Sequence, residues 1–139
     1  MVTIVRAAAG DVELVLGAAE LFDGPPVREH TLTFLNSPGH HLLLALDGDD
    51  AVGFVTGVEM THPDKGTEMC VYELGTREDR RREGIATALL TELTRLARER
   101  SCYGMWVGTE PDNAAAHATY LRAGFAGPES VVNFERAFD

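Results

Sequence analysis

The sequence predicts an α/β (α+β) fold in which one mixed sheet carries helices on both faces. Three observations predict it. The 139 residues are enough for one domain, stretches of period-two hydrophobicity alternate with stretches of helical period, and the predicted order is strand, two helices, three strands, helix, strand, helix and strand. Because strands and helices interleave in this order, helices are expected to cover both sides of the sheet. We therefore expect residues 1–139 to form a single domain.

The N-terminal elements follow from local signals. Residues 2–6 alternate as a strand does. Gly10-Asp11 offers a cap to a helix that runs to about Phe22, and Pro25-Pro26 suits the start of a second helix that residues 36–39 should stop.

A hairpin and a third long strand are predicted next. Residues 41–46 and 51–60 are strand-like and flank a turn of small and acidic residues. Residues 61–67 contain proline, glycine and charges, which predict a mobile loop at the substrate entrance. Residues 68–75 then form a strand.

The C-terminal half predicts four further elements. A helix over 84–100 has Ile85, Leu89, Leu93 and Leu96 on one face. A strand over 103–109, a short alanine-rich helix over 113–122 and a last strand over 131–138 complete the order.

The most informative stretch is Arg81-x-x-Gly84-x-Ala86, at the junction between a strand and a helix. A helix that begins near Gly84 leaves its first N–H groups unpaired and directs its positive dipole end at the same point. The small residues let a pyrophosphate approach the backbone, and Arg80, Arg81 and Arg82 surround the entrance with positive charge. The alternative is a solvated arginine cluster ahead of an ordinary helix. Gly-x-Gly-x-x-Gly and Walker patterns are absent, which disfavours the usual dinucleotide and nucleoside triphosphate sites.

Charge is unevenly distributed along the chain. The net charge is -10, of which residues 77–100 carry +2 and the remainder -12. A local positive patch suits a phosphate-bearing cofactor, whereas the acidic remainder favours a cationic partner and disfavours nucleic acid or an anionic membrane. The alternative is that the acidity serves solubility alone.

Location and cysteine chemistry are predicted from absences. No apolar run is long enough to span a bilayer and the N-terminus lacks a secretion signal, so we expect a cytoplasmic protein with no membrane partner. Cys70 and Cys102 lie in apolar strand-like segments, which indicates buried free thiols rather than a disulfide, a nucleophile or a metal pair. No metal is expected.

These residues resemble the GNAT superfamily of acetyl-coenzyme A-dependent N-acetyltransferases. Arg81-x-x-Gly84-x-Ala86 is similar to its pyrophosphate motif of Gln or Arg, two residues, Gly, one residue, and Gly or Ala. Asn113 and the segment Tyr120-Leu121-Arg122-Ala123-Gly124-Phe125 resemble its later asparagine and tyrosine-to-glycine-phenylalanine segment. Within the superfamily, Gly84 to Leu89, Tyr72-Glu73-Leu74 and Tyr120 look most like type I aminoglycoside 3-N-acetyltransferases. The implied fold is a mainly antiparallel mixed sheet with a splayed cofactor cleft.

The resemblance implies how acetyl-coenzyme A is bound. Backbone amides from Arg81 to Thr87 bind the pyrophosphate, and the pantetheine arm runs between the strands at 69–75 and 103–109. The N–H of Leu74 then stabilises the negative charge that develops on the acetyl oxygen. The expected cofactor-binding residues are Leu74, Arg81, Arg82, Glu83, Gly84, Ile85, Ala86, Thr87, Asn113 and Tyr120.

Catalytic and acceptor-binding roles are expected as follows. Glu73, beside Leu74, is the candidate general base and would hold a cationic amine; the alternative is a solvent-facing strand residue. Tyr120 is the candidate acid for the departing thiolate, or else a core tyrosine. Asn113 contacts the cofactor, caps its helix, or does both. Glu110 and Glu135 supplement Glu73 in a cationic pocket, or are loop and edge-strand charges.

The expected function is acetyl transfer to a primary amine of a small cationic acceptor, with an aminoglycoside as the leading candidate. A polyamine, an amino acid or a protein amine is the alternative acceptor. A noncatalytic acyl-coenzyme A sensor is the alternative function. A homodimer is implied by the superfamily alone.

Overall fold

A computed structural model describes residues 1–138 as one five-stranded sheet with helices on both faces. The strands lie in the order β1-β2-β3-β4-β5; neighbours are antiparallel except β4 and β5, which are parallel. Their bounds are Val2–Arg6 (β1), His40–Asp47 (β2), Asp50–His62 (β3), Gly66–Thr76 (β4) and Met105–Val107 (β5). The predicted mixed, mainly antiparallel sheet is confirmed.

The two faces of the sheet bury different sets of helices. The helices are Val12–Leu16 (α1), Arg28–Asn36 (α2), Ile85–Glu99 (α3) and Ala114–Arg122 (α4). Along β2, Leu42 and Leu44 contribute to a core with α1 and α2, whereas Leu43 and Ala45 contribute to the larger core beneath α3. Because successive strand residues point to opposite faces, an uninterrupted apolar run is what a doubly covered strand requires.

Three predicted elements are wrong in extent. Residues 61–67 are not a loop: β3 and β4 continue to a turn at 63–65, and the Thr61 and Thr67 hydroxyls hydrogen-bond across them at 2.9 Å. The first helix is broken after Leu16, where Gly17 caps it, and a 3-10 turn follows at Ala19–Leu21. The strand expected over 103–109 is reduced to Met105–Val107 because its pairing with β4 ends there.

The predicted last strand is wrong within the single chain. Residues 131–138 belong to no strand, and every one of them is exposed. A strand requires a hydrogen-bonding partner as well as an alternating sequence, and this segment reaches none in its own sheet.

Among residues 1–138, no helix combines the length and the apolar character needed to cross a membrane.

Candidate functional site

The site forms where β4 and β5 separate. Their parallel pairing joins only residues 69–71 to 105–107, yet β4 continues to Thr76. The backbone of residues 72–76 therefore has no strand on its β5 side. This opening is the splayed cleft that the sequence resemblance implies. The predicted fold, including this cleft, is confirmed.

A β-bulge determines which backbone groups face the cleft. The register between β3 and β4 shifts beside Gly57, so that Thr56 pairs with Glu73 while Gly57 pairs with Val71. The Glu73 N–H then donates to the buried hydroxyl of Thr56 at 3.0 Å, toward β3. Because successive peptide groups in a strand point to opposite edges, the N–H of Leu74 is directed toward the cleft.

The start of α3 presents further backbone donors. Gly84 caps the helix in the left-handed region at φ 80°, with no side-chain cap, and the first helical bond runs from Ala88 N–H to its carbonyl at 3.0 Å. Within residues 1–138, the N–H groups of residues 84–87 donate to no acceptor. Unpaired N–H groups at the positive end of a 15-residue helix can bind an anion.

The three arginines before this helix do not share one role. Arg80 was expected at the entrance, but its guanidinium bonds Asp47 at 2.9 Å and Glu83 at 2.8 Å, and these hydrogen bonds raise its pKa further above the usual range. Arg80 therefore links the turn before α3 to the end of β2. Arg81 and Arg82 are exposed and form no ion pair within residues 1–138. Only these two remain to attract an anion, and the Glu83 side chain is occupied by Arg80.

Arg82 also adopts an uncommon backbone conformation, at φ 67°. A non-glycine residue in the left-handed region costs free energy, and such residues concentrate at binding and catalytic sites. Its position two residues before Gly84 gives the turn two left-handed residues ahead of the helix.

Glu73 lies half-buried on the face covered by α1 and α2, as its pairing with Thr56 requires. Burial raises the pKa of its carboxyl group above the ordinary value, and the nearby negative charge of Asp23 raises it further. A carboxyl group with a raised pKa is a stronger proton acceptor once ionised, which suits a general base.

Asp23 is a candidate site residue that the sequence analysis did not assign. The segment before it is held against the sheet: Phe22 contacts Phe54 with ring centroids 4.3 Å apart. A Cβ on Gly75 would lie 3.1 Å from the carbonyl oxygen of Leu21, so glycine there permits this close approach. The proximity to Glu73 arises from tertiary packing, and no spacing in the sequence signals it.

Tyr120 lies on α4 and packs against the core beneath α3, with its ring 5.9 Å from that of Phe125. Burial raises its phenol pKa above the usual value. Its hydroxyl makes no hydrogen bond within residues 1–138 and is available to a ligand. Gly124, at φ 96°, ends the helix and lets Phe125 N–H bond the Tyr120 carbonyl at 3.0 Å.

The remaining predicted residues are placed as follows. Asn113 caps α4, since its Oδ1 accepts the Ala116 N–H at 3.1 Å, and its side-chain amide nitrogen makes no hydrogen bond within residues 1–138. Glu110 lies in an exposed loop, where its backbone carbonyl contacts His117 Nε2 at 3.2 Å. Glu135 lies on the exposed C-terminal segment. No hydrogen bond or ion pair within residues 1–138 joins Glu110 or Glu135 to Glu73.

A cavity of about 440 Å³ lies elsewhere, between the end of α2 and the start of β2. Beside it, buried His41 accepts a hydrogen bond from Arg6 on Nδ1 at 2.9 Å and donates from Nε2 to Glu59 at 2.6 Å. Burial lowers the His41 pKa, so the ring is neutral near pH 7. Glu59 also accepts from Arg100 at 2.9 Å. Each partner is engaged within the protein, which indicates a structural network.

Other reactive groups show no second centre. Within residues 1–138, no group of three His, Cys, Asp or Glu side chains is arranged to hold a metal ion. Cys70 and Cys102 are free thiols, and burial raises the pKa of both, which disfavours the thiolate.

Comparison with known proteins now identifies the relatives of this arrangement. The acetyltransferase (GNAT) family model matches residues 13–125. A search of curated proteins finds no significant match.

Similar solved structures share the fold over nearly their whole length. An aminoglycoside acetyltransferase, meta-AAC0020, from an uncultured soil metagenomic sample in complex with sisomicin is 20% identical with a TM-score of 0.91, covering 99% of this chain and 97% of its own. The aminoglycoside N-acetyltransferase AAC(6')-Iy in complex with CoA is 19% identical with a TM-score of 0.83, covering 98% and 95%. A ribosomal-protein-alanine N-acetyltransferase from Brucella melitensis biovar Abortus 2308 is 21% identical with a TM-score of 0.79, covering 98% and 100%.

The turn before α3 yields a prediction for Gly84→Ala. An added Cβ would meet open space, so its effect comes from the left-handed φ, which an alanine adopts at a cost of about 1–2 kcal/mol. The turn should relax and misalign the N–H donors, raising the Kd for coenzyme A by about tenfold, as calorimetry would measure.

Gly66→Ala is the matched control. Gly66 has φ 94° and equally open space around its missing Cβ, and it is the first residue of β4, at the end of the strand opposite the cleft. The Gly66→Ala variant should lose a similar amount of folding free energy, while its Kd for coenzyme A stays unchanged. Equal affinities for the Gly84 variant and the unmodified protein would contradict the phosphate role.

Proposed function

Because this chain belongs to the acetyltransferase (GNAT) family and is an acetyl-coenzyme A-dependent N-acetyltransferase, we propose that it acetylates a primary amine of a small cationic acceptor, with an aminoglycoside as the leading candidate. One observation carries the proposal. The helix α3, with unpaired N–H groups at its start, follows the end of β4, and the edge of β4 that faces the cleft has no strand partner there.

The chain's own groups account for binding of the acyl donor. The N–H groups of residues 84–87, with Arg81 and Arg82, hold the pyrophosphate. The unpaired edge of residues 72–76 offers strand-like hydrogen bonds to the amides of the pantetheine arm. The free amide of Asn113 is available for a further contact with the cofactor.

Acetyl transfer then needs one donor and two proton carriers. The amine nitrogen attacks the thioester carbon, the C–S bond breaks, and the N–H of Leu74 stabilises the negative oxygen in between. Glu73 accepts a proton from the amine, because an alkylammonium with a pKa of about 10 is not nucleophilic near neutral pH. Tyr120 donates its proton to the departing thiolate, which yields free coenzyme A.

Two carboxylates favour a cationic acceptor. The negative charge of Asp23 is near enough to Glu73 to raise its pKa, and the chain carries a net charge of -10. The similarity to enzymes named for aminoglycosides supports that acceptor class, and regiochemistry at the 3-N or 6'-N position is a further choice within it. Glu110 and Glu135 stay predictions as supplementary acceptor contacts. A cytoplasmic location and a homodimer also stay predictions.

The acceptor is tested by measuring release of free thiol from acetyl-coenzyme A with a panel of amines. Aminoglycosides, polyamines, amino acids and the N-terminal alanine of a ribosomal-protein peptide represent the candidate classes, and mass spectrometry locates the acetyl group. Rapid release with aminoglycosides alone would support the proposal. Faster thiol release with the peptide would indicate a protein amine, and not an aminoglycoside, as the acceptor. Saturable cofactor binding with no thiol release would indicate a noncatalytic sensor.

Tyr120→Phe tests the acid. Loss of the proton donor should lower kcat by about 10²-fold or more, while the Kd for acetyl-coenzyme A changes little. Tyr103→Phe is the control, because its hydroxyl bonds Glu68 and its backbone bonds Thr67 at the far end of β4. Unchanged turnover in the Tyr120 variant would remove this residue as the acid.

Asp23→Asn tests the carboxylate pair. Its charge raises the Glu73 pKa, so its removal should lower that pKa and move the acid limb of the kcat/KM profile to lower pH, because the base must be ionised to act. The KM of a polycationic acceptor should rise by about fivefold, the size of one exposed ion pair. Asp64→Asn, an exposed carboxylate in the β3–β4 turn, is the control. An acid limb that stays at the same pH in Asp23→Asn would contradict an effect of Asp23 on the pKa of Glu73.

A further inference from the structure

The cavity between the end of α2 and the start of β2 lies on the β1–β2 side of the sheet, whereas the cleft lies between β4 and β5. Its volume of about 440 Å³ is within the range of small-molecule sites. Arg6 and Arg100 line it together with apolar side chains such as Leu35 and Pro38, and no aspartate or glutamate is among its lining residues. A pocket with positive walls and no carboxylate suits a small anion.

Arg6 is a cation that is held in place by a neutral partner. Its Nη2 donates to Nδ1 of buried His41 at 2.9 Å, and within residues 1–138 its side chain forms no ion pair and no other hydrogen bond. The imidazole is neutral near pH 7 because burial lowers its pKa. A guanidinium has five N–H donors, so four of those on Arg6 are unused and its charge is not compensated by its partner.

The other charges of this network do not compensate Arg6 either. Arg100 Nε donates to Glu59 Oε2 at 2.9 Å, and the same oxygen accepts from His41 Nε2 at 2.6 Å. Two guanidinium groups, one carboxylate and one neutral ring leave the four side chains with one positive charge in excess. Asp11 is a further carboxylate nearby, but it accepts the Ala8 N–H at 2.8 Å and forms no ion pair within residues 1–138.

The backbone around the cavity offers a donor, and two carbonyls that could compete for Arg6 are occupied. The N–H of Gly39, a lining residue, donates to no acceptor within residues 1–138. Two carbonyls of the last turns of α2 accept hydrogen bonds from the side chains of Asn36 and Ser37, at 2.9 and 2.6 Å. These carbonyls therefore do not take up the unused donors of Arg6.

We propose that this cavity binds a small organic oxyanion, through a carboxylate or phosphate group held by Arg6 and Arg100, with the Gly39 N–H as a further donor. The planar fork of a guanidinium presents two parallel N–H groups, which match two oxygens of either group. The hydrogen bond to His41 fixes Arg6 before a ligand arrives, so less side-chain freedom is lost on binding. The apolar part of the wall contacts the carbon skeleton of the ligand. This proposal does not depend on acetyl transfer.

Titration of the ¹⁵N-labelled protein with inorganic phosphate and, separately, with succinate tests the site. Each titration is made at constant ionic strength with saturating coenzyme A, so that the start of α3 is already occupied. The amide signals of Gly39 and His40 should move saturably, with a Kd below about 1 mM for at least one probe. The probe that binds more tightly identifies phosphate or carboxylate as the preferred group. No saturable movement of these two amides with either probe would overturn the proposal.

Arg6→Gln tests the contact, because it removes the charge and keeps an N–H donor for His41. The Kd of the tighter probe should rise by about tenfold or more, with an unchanged circular dichroism spectrum. Arg98→Gln is the matched control, since Arg98 is exposed, forms no ion pair within residues 1–138 and does not line the cavity. Its Kd should equal that of the unmodified protein. Equal affinity in the Arg6→Gln variant would overturn the proposal.

Two further results keep the test decisive. If Arg6→Gln does not fold, Arg6→Lys takes its place: it keeps the charge but loses the planar fork, so the Kd should still rise, and an unchanged Kd would contradict the proposed contact. The amides of residues 84–87 report the other anion site. Their movement by phosphate despite coenzyme A would count against the acyl-donor site alone, whereas movement confined to them would overturn only the proposal made for the cavity.

Discussion

The hydrogen bond from the Glu73 N–H to the Thr56 hydroxyl is the constraint on which the site depends. Without the bulge, the alternation along β4 would be displaced by one residue, and a one-residue displacement exchanges the two edges and the two faces. The bond therefore determines two things together: the Leu74 N–H is directed into the cleft, and the Glu73 carboxyl group lies under the α1–α2 segment. The proposed donor for the acetyl oxygen and the proposed base for the amine both owe their directions to this one irregularity.

The charges around α3 are divided between structure and binding. Arg80 is paired with two carboxylates and stabilises the turn, whereas Arg81 and Arg82 keep their charge available. The recognition of phosphate is thus expected to rely mainly on the peptide backbone, whose donors are positioned by helix geometry rather than by flexible side chains. On the opposite face of the sheet, Glu73 and Asp23 supply negative charge. The anionic acyl donor and the cationic acceptor proposed above would then meet protein surfaces of complementary sign.

Features that depend on neighbouring residues in the chain could be predicted from the sequence, whereas features that depend on contacts between distant segments could not. The turn at Gly84 and the helix after it were predictable because a left-handed cap and an apolar stripe are local features. The proximity of Asp23 to Glu73 was not predictable, because it depends on Phe22 packing on Phe54 and on Leu21 approaching Gly75. Residues 131–138 show a different limit: alternation predicts that a segment can pair, but whether a partner strand lies within reach depends on the tertiary structure.

The missing side-chain cap on α3 has a consequence for the protein outside catalysis. A capping side chain is typically worth about 1 kcal/mol, and this helix start forgoes it while Asn113 provides one for α4. A diphosphate seated there would act as the absent cap, and any molecule that binds only the native state raises the free energy of unfolding by mass action. The half-life of the folded chain would then rise and fall with the supply of its acyl donor, which links protein turnover to metabolic state.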